Sequence, residues 1–295
     1  MSATRAEIAT DLKRVAPPQE ATRREKVARL LSAVLAVDTV VASLIMLLVP
    51  STLLGPAAMN GSARGTALVA LVLGVPTLVG SLVMRSRGSE RAVVFLVGSL
   101  AYFAYNGVMF LLATPYNRLF PLYVVMLAVA LWALIALLTE VSSPALPPDR
   151  GLRAVAAYMG LIVVLNTFAW LATIVPDLLD DSPGTFLEGM GVATNPVFVQ
   201  DLTFWLPAMG LAAWLLWSGA GNGWLLAGGA LIYWQIEGIG VAVDQWWGHH
   251  ADPASDVVNV AAVPMFLVLF VVGLLPCWAL LHRGPGPSGL STRDH

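Results

Sequence analysis

Charge is the first thing this chain lacks. Only 12% of its 295 residues are Asp, Glu, Lys or Arg, while 58% are hydrophobic. Soluble domains carry about 25% charged and about 45–50% apolar residues, so a soluble globular domain is excluded. Cysteine is nearly absent. The one thiol, Cys277, can form no internal disulfide and is expected simply to pack. Lysine occurs only as Lys13 and Lys26, near the start of the chain, so no membrane lysine can carry a retinal Schiff base. No histidine falls inside an apolar run, which argues against a transmembrane bis-histidine haem. There is no phosphate-cradling glycine loop ending in lysine, which excludes an ATP-driven motor. A zinc-protease helix motif and a serine nucleophile elbow are also missing. Gly221-x-Gly223 has no strand before it and reads as a helix start, and Glu140 with the short 140–153 loop offers no catalytic constellation.

Long apolar runs are what the chain does have. A bilayer core of about 30 Å needs about 20 apolar residues per helix. Windows of that length place spans at 27–49, 65–84, 92–113, 119–139, 153–175, 202–218, 223–246 and 258–281. Unpaired backbone amides cost several kcal/mol in lipid, so each span must be a helix. The runs do not alternate, which excludes a transmembrane β-barrel. The first run is too long for a cleaved signal peptide and follows a charged segment, so it is expected to stay as a helix. Of the 16 Lys and Arg, only Arg64 and Arg118 follow spans one and three. The rest lie in the N-terminal segment, at 85–91, at 150–153 and in the C-terminal tail. The excess of basic residues on one side predicts that both termini are cytoplasmic. Trp205, Trp246 and Trp247 would mark the outer face, and Trp217, Trp224 and Trp278 the inner.

The expected fold is therefore all-α, a polytopic bundle of eight transmembrane helices. Residues 1–26 form a basic cytoplasmic tail, 27–282 the membrane domain and 283–295 a disordered cytoplasmic tail. Within the first tail, Ile8, Leu12 and Val15 at helical spacing, before Pro17-Pro18, allow a short helix on the inner leaflet; a solvated tail is the simpler reading. The 176–201 connection exceeds the usual length and suggests a partly ordered outer cap. No strong internal repeat stands out.

Inside the spans the polar residues are few. Asp38 stands near the middle of span one and Glu237 near the middle of span seven, with Tyr102, Asn106 and Asn166 on spans three and five. Tyr233, Glu237, Gly240 and Asp244 share one helix face, and Gly228, Gly229 and Gly238 would let another helix approach closely. A charged acid at mid-bilayer costs about 2.5–3.5 kcal/mol. It must meet a cation, take up a proton or accept hydrogen bonds, and no span has a Lys or Arg at its middle. Burial therefore favours the neutral acids unless an outside cation enters, as a coupled transporter requires. Interhelical hydrogen bonding, worth about 1 kcal/mol per contact, is the structural alternative. It suits Asn106 and Asn166 best. Prolines sit in the even spans, Pro76, Pro121, Pro207, Pro264 and Pro276, and most can kink their helices.

On the outer side, Asp244 to Asp256 includes His249, His250 and Asp252, which suggests a weak divalent-metal site such as zinc. Adjacent histidines point apart in regular structure, and a solvated loop or a pH-sensitive gate are the other readings.

Two stretches are familiar together. One is Tyr102-x-x-Tyr105-Asn106 followed by Tyr116-Asn117-Arg118-Leu119-Phe120-x-Leu122-Tyr123. The other is Asn195-Pro196-Val197-Phe198-Val199-Gln200-Asp201-Leu202 running to Leu206-Pro207. They resemble a loosely defined group of bacterial multi-spanning inner-membrane proteins with no assigned activity. The resemblance covers spans three to six and implies topology and a bacterial plasma-membrane location, but no chemistry. Ser218 to Gly223 lacks the basic cluster the group carries there, and Glu237 and the His249-His250 segment have no counterpart in it. Read on their own, Asp201 suits a cap on span six, Asn117 and Asn195 suit turns, and Tyr116 and Tyr123 suit the interface.

Three functions follow from these residues. The leading one is a small transporter, or ligand-binding membrane protein, using Asp38 and Glu237 as proton- or cation-exchanging groups. The second is a membrane enzyme at the outer rim with Asp201, Asp244, His249, His250 and Asp252. The third is a scaffold or sensor. No cofactor is called for. The expected partners are the bilayer and a small-molecule or cation ligand, not nucleic acid.

Overall fold

The computed structural model describes residues 23–284 and 291–292. The tail residues Ile8, Leu12 and Val15 and most of the C-terminal tail lie outside that range. Eight helices are long and apolar enough to cross a membrane, as expected. They are α1 Arg23–Leu48, α2 Ala57–Ser86, α3 Ala92–Leu112, α4 Phe120–Glu140, α5 Arg150–Leu178, α6 Pro196–Ser218, α7 Gly223–Ala251 and α8 Val260–His282. They are consistent with an integral, multi-pass membrane protein. Among the described residues the only strands are β1 Val141–Ser142 and β2 Ser291–Thr292, which pair antiparallel.

Several helices run past their expected ends, and two of these extensions pack on each other. The second begins at Ala57 instead of 65, and the seventh continues to Ala251 instead of 246. Hydropathy misses both extensions because they carry Asn60, Arg64, His249 and His250. Packing stabilises them instead. A Cβ on Gly61 would sit 2.6 Å from the Trp247 carbonyl oxygen, and one on Gly65 would sit 2.8 Å from the Asp244 Cα. This small-xxx-small stripe lets α2 lie directly on α7. The Arg64 guanidinium covers the Trp247 ring at 5.2 Å.

α1 packs on α4 through two seams of alternating three- and four-residue spacing. Glu25, Ala28, Ser32, Leu35, Thr39, Ala42 and Met46 are buried on one helix, and Tyr123, Met126, Ala130, Ala133, Leu137 and Glu140 on the other. That spacing is the coiled-coil pattern of knobs entering holes. Glu25 closes the seam at the termini-bearing face, accepting from Arg29 Nη2 at 2.8 Å and Arg85 Nε at 3.2 Å. α3 and α7 form the centre: nearly every residue of α3 is buried. α5 and α8 are peripheral and turn Leu165, Phe168, Val268 and Leu275 outward.

No strong sequence repeat stands out, but the backbone carries a repeated feature. α2 and α6 each contain one π-turn, at Ala70–Gly74 and Asp201–Trp205, and each turn is followed by a proline, Pro76 and Pro207. A proline removes a backbone donor and crowds the preceding turn, and the π-turn absorbs both effects within a continuous helix. Both the turns and the prolines are 131 residues apart, the separation between Asn106 and Glu237. The left-handed glycines after the two helices, Gly88 and Gly219, keep that offset, as do the first residues of the next helices, Ala92 and Gly223. At the same offset, Gly98-x-Leu100-x-Tyr102 matches Gly229-x-Leu231-x-Tyr233, and Asn106-Gly107 matches Glu237-Gly238. The α2–α3 and α6–α7 helix pairs thus repeat one backbone pattern at a constant offset. The matching residues are few and the side chains have diverged, so only the shared backbone device makes the repeat visible.

Equivalent glycines meet where α3 crosses α7. A Cβ on Gly98 would lie 2.5 Å from Ile232 Cβ and 2.9 Å from the Gly229 oxygen, and one on Gly229 would strike Val97 Cγ1. Gly228 faces Val94 in the same way, but a Cβ on Gly238 meets nothing within 4 Å. Gly228 and Gly229 therefore have the expected close-packing role, and Gly238 does not.

Candidate functional site

The face of α7 bearing Tyr233, Glu237 and Gly240 turns toward α3 and α6, and Asp244 continues it with its Cα against Gly65 of α2. Glu237 lies near the middle of its helix, and Asp244 is seven residues on, about 10 Å nearer the face opposite the termini. Asn106 Nδ2 donates to Glu237 Oε2 at 2.9 Å and also to the Tyr102 carbonyl at 3.1 Å. A carbonyl can only accept, so the amide orientation is set by the backbone and Glu237 receives a true donor. A Cβ on Gly240 would sit 3.7 Å from Glu237 Oε2 and 4.0 Å from Tyr102 Cε2.

A third acid joins this group. Asp201 was expected to cap α6, but the cap is Asn195, whose Oδ1 accepts from the amides of Val197 and Phe198 at 3.0 and 3.4 Å. The helix starts five residues earlier than the acid, so Asp201 is carried into the π-turn and buried. Its Oδ2 accepts from Trp170 Nε1 at 2.9 Å, and the Tyr105 hydroxyl is its other side-chain partner. Tyr105, Trp205 and Tyr233 form an aromatic trio beside it, with Trp205 stacked on Tyr233 at 5.0 Å. A hydropathy reading cannot find this role, because Asp201 lies outside the apolar window of α6. Only its four-residue spacing from Trp205 hints at a shared face.

Asp244 Oδ1 accepts from Gln245 Nε2 at 2.7 Å, and Gln245 Oε1 accepts from the Asn259 amide at 2.6 Å. Gln245 and Trp170 also line a cavity of about 260 Å³ under the cap, together with Met59, Met109, Asn195 and Val257. The cap is ordered as expected: Asp177 accepts from Gly184 N at 2.8 Å and from Thr185 N at 3.1 Å, closing a turn before Thr185–Leu187. The side chains that hold Asp201 and Asp244 are thus the ones that reach the chamber.

The remaining candidates lie elsewhere. Asp38 is buried at 7% exposure on α1, which packs on α4 and α2, and it makes no polar contact with the Glu237 group among the described residues. Its Oδ2 has no partner, nor do the hydroxyls of Thr39 and Ser43. Asn166 is half-buried on peripheral α5, away from the group. His249 and His250 are in the last turns of α7 rather than in a loop, because that helix is longer than hydropathy predicts. His250 Nδ1 is 2.7 Å from the Trp246 carbonyl, and its ring lies on Trp246 at 3.8 Å. Among the described residues no group of three His, Cys, Asp or Glu is arranged to hold a metal. Tyr116 is exposed, whereas Tyr123 is buried, stacked on Phe110 with its hydroxyl 3.4 Å from Met46 Sδ. Trp224 is likewise internal, donating to the Leu280 carbonyl at 3.0 Å.

Comparison with protein-family models, curated proteins and solved structures gave no match. Function must therefore be argued from the site's own chemistry.

Proposed function

We propose that this protein is a small multi-pass carrier, or ligand-binding membrane protein, of the bacterial plasma membrane, and that Glu237, Asp244 and Asp201 exchange protons or cations with the outer face. A single observation carries the reading: three acids gather between α3, α6 and α7, and among the described residues none is paired with Lys or Arg. Energetics disfavour three bare charges. Glu237, near mid-span, costs about 2.5–3.5 kcal/mol when ionised, and its one charge-assisted hydrogen bond returns about 1.5–3 kcal/mol. Repulsion among three acids adds to the deficit. Protons or an entering cation must make up the difference.

The basic residues support a cytoplasmic placement of both termini. Arg85, Arg87, Arg91, Arg150, Arg153 and Arg283 lie at the helix ends on the termini-bearing face, while Arg64 and Arg118 are alone on the other. The chamber under the cap then opens outward. Membership of the bacterial group named above is part of the same proposal.

Proteoliposomes test the reading. On addition of the right solute, from a panel of amino acids, sugars and organic cations, the wild type takes up or releases protons, and Glu237→Gln loses the response. A solute response that survives unchanged in Glu237→Gln counters the proposal.

A further inference from the structure

Asn106 and Glu237 occupy the same position of the repeated α2–α3 and α6–α7 pairs, and they touch. In a two-fold arrangement only residues beside the axis meet their own equivalents. Gly98 meets Gly229, and Asn106 meets Glu237 about 12 Å further along the same pair of helices. A local two-fold therefore relates α3 and α7 where they cross, its axis running between them from Gly98 to Asn106.

The two copies differ at this position in charge and by one methylene. Two acids facing across 2.9 Å could not both ionise, and two amides would hold no charge. One of each leaves a single ionisable group on the axis, held by a donor that its own backbone orients.

Tyr102 supplies the second observation. It has no exposed surface, and its hydroxyl has no hydrogen-bond partner. Its ring borders the same open position as the carboxylate, at 4.0 Å and 3.7 Å from a Cβ built on Gly240. A buried hydroxyl left unmade costs about 1–3 kcal/mol, so a group that accepts or coordinates it is missing. The copies also differ around the site in side-chain bulk. Gly240 stands where α3 has Met109, leaving space beside Glu237 Oε2 and the Tyr102 ring.

We propose that Asn106, Glu237 and the Tyr102 hydroxyl form a single-occupancy site on the two-fold axis for one monovalent positive charge, a proton or an alkali cation, and that the carboxyl can serve from either copy. The inference deepens the carrier reading and rests on it. The other ionisable groups facing the site are Tyr105 from α3, Asp201 from α6, and Tyr233 and Asp244 from α7. From α2, Arg64 lies over Trp247 and makes no ion pair with these acids.

The test uses the full-length protein in detergent and counts protons released on titration from about pH 5 to about pH 8. Glu237→Asn should release about one proton fewer per chain than wild type. The exchange N106E/E237N should restore it, because the transplanted amide finds the Tyr233 carbonyl where Asn106 finds that of Tyr102. Sodium or potassium chloride that displaces the proton at constant pH, against choline chloride, identifies an alkali-cation site. Equal titration in all three salts identifies a proton site. An exchange that behaves like Glu237→Asn, or a Glu237→Asn that titrates like wild type, overturns the inference. Should the exchange not be recovered folded, the near-isosteric N106D decides: two acids on the axis should titrate as one coupled pair, and a wild-type titration counts against the site. Failure of N106E/E237N with the solute response intact in wild type removes the axial site alone. A restored titration with no solute response in any variant removes the carrier alone.

Discussion

At the scale of single residues, Tyr102 separates a ligand site from ordinary packing. Its hydroxyl is buried and unpartnered, so Tyr102→Phe removes an unsatisfied group. The ligand-free variant should melt at or above the wild-type temperature and gain about 1–3 kcal/mol at most, while its response to cations or acid falls. A large loss of stability without ligand would mean that the hydroxyl is bonded in the resting protein. Asp149, outside the membrane, tests the electrostatics independently. It caps α5, accepting from Leu152 N at 2.7 Å, and meets Arg283 at 3.2 Å. First that backbone bond and then the Arg283 charge hold its carboxyl below the ordinary value. A lowered carboxyl stabilises the fold above the unfolded-state value of about 3.9 and loses that effect as pH falls through its lower folded value. The stability difference between wild type and Asp149→Ala should therefore be full near neutrality and shrink below about pH 4 in thermal melts. A difference that grows on acidification has the opposite sign and refutes the assignment.

At the scale of helices, close packing at small residues does what oil-driven collapse does in water, because lipid gives no hydrophobic reason for helices to associate. Gly98→Ala and Gly229→Ala push a methyl into a neighbouring helix and should each cost about 1–3 kcal/mol in unfolding titrations. Gly238→Ala meets open space and should be neutral or stabilise by up to about 1 kcal/mol, because alanine is the better helix former. Equal effects at all three would remove the crossing point from the account. The sequence made the eight helices plain, since a run of twenty apolar residues has one outcome in lipid. Their polar extensions were hidden for the same reason. Arg64, His249 and His250 lower hydropathy, and only the Gly61–Gly65 stripe betrays that a helix continues beside them. The central acids were legible as well, Glu237 and Asp244 by their shared face. Asp201 was not, because its role depends on where α6 starts and on a π-turn that rotates it inward. Asp38 and Asn166 shared a depth with Glu237 but not a helix interface, and depth alone carries no information on neighbours.

For the whole molecule, the crossing of α3 and α7 places one ionisable group, Glu237, at the centre, and a chamber lies toward one end. The orientation of that end decides whether the acids face the outside. In a Cys277→Ser background, Ser182→Cys and Asp256→Cys, both exposed, should react with an impermeant maleimide on intact cells. Arg87→Cys and Ala145→Cys, exposed on the opposite face, should react only after permeabilisation. The reverse pattern would turn the carrier around. The central claim, that Glu237 holds an exchangeable positive charge with no base of the protein beside it, is tested most directly by infrared difference spectroscopy of the purified protein across about pH 5 to about pH 8. The account predicts a protonated-carboxyl band that disappears as pH rises or as an alkali cation is added, and that is absent from Glu237→Gln. Wild-type and Glu237→Gln spectra that do not differ would contradict it.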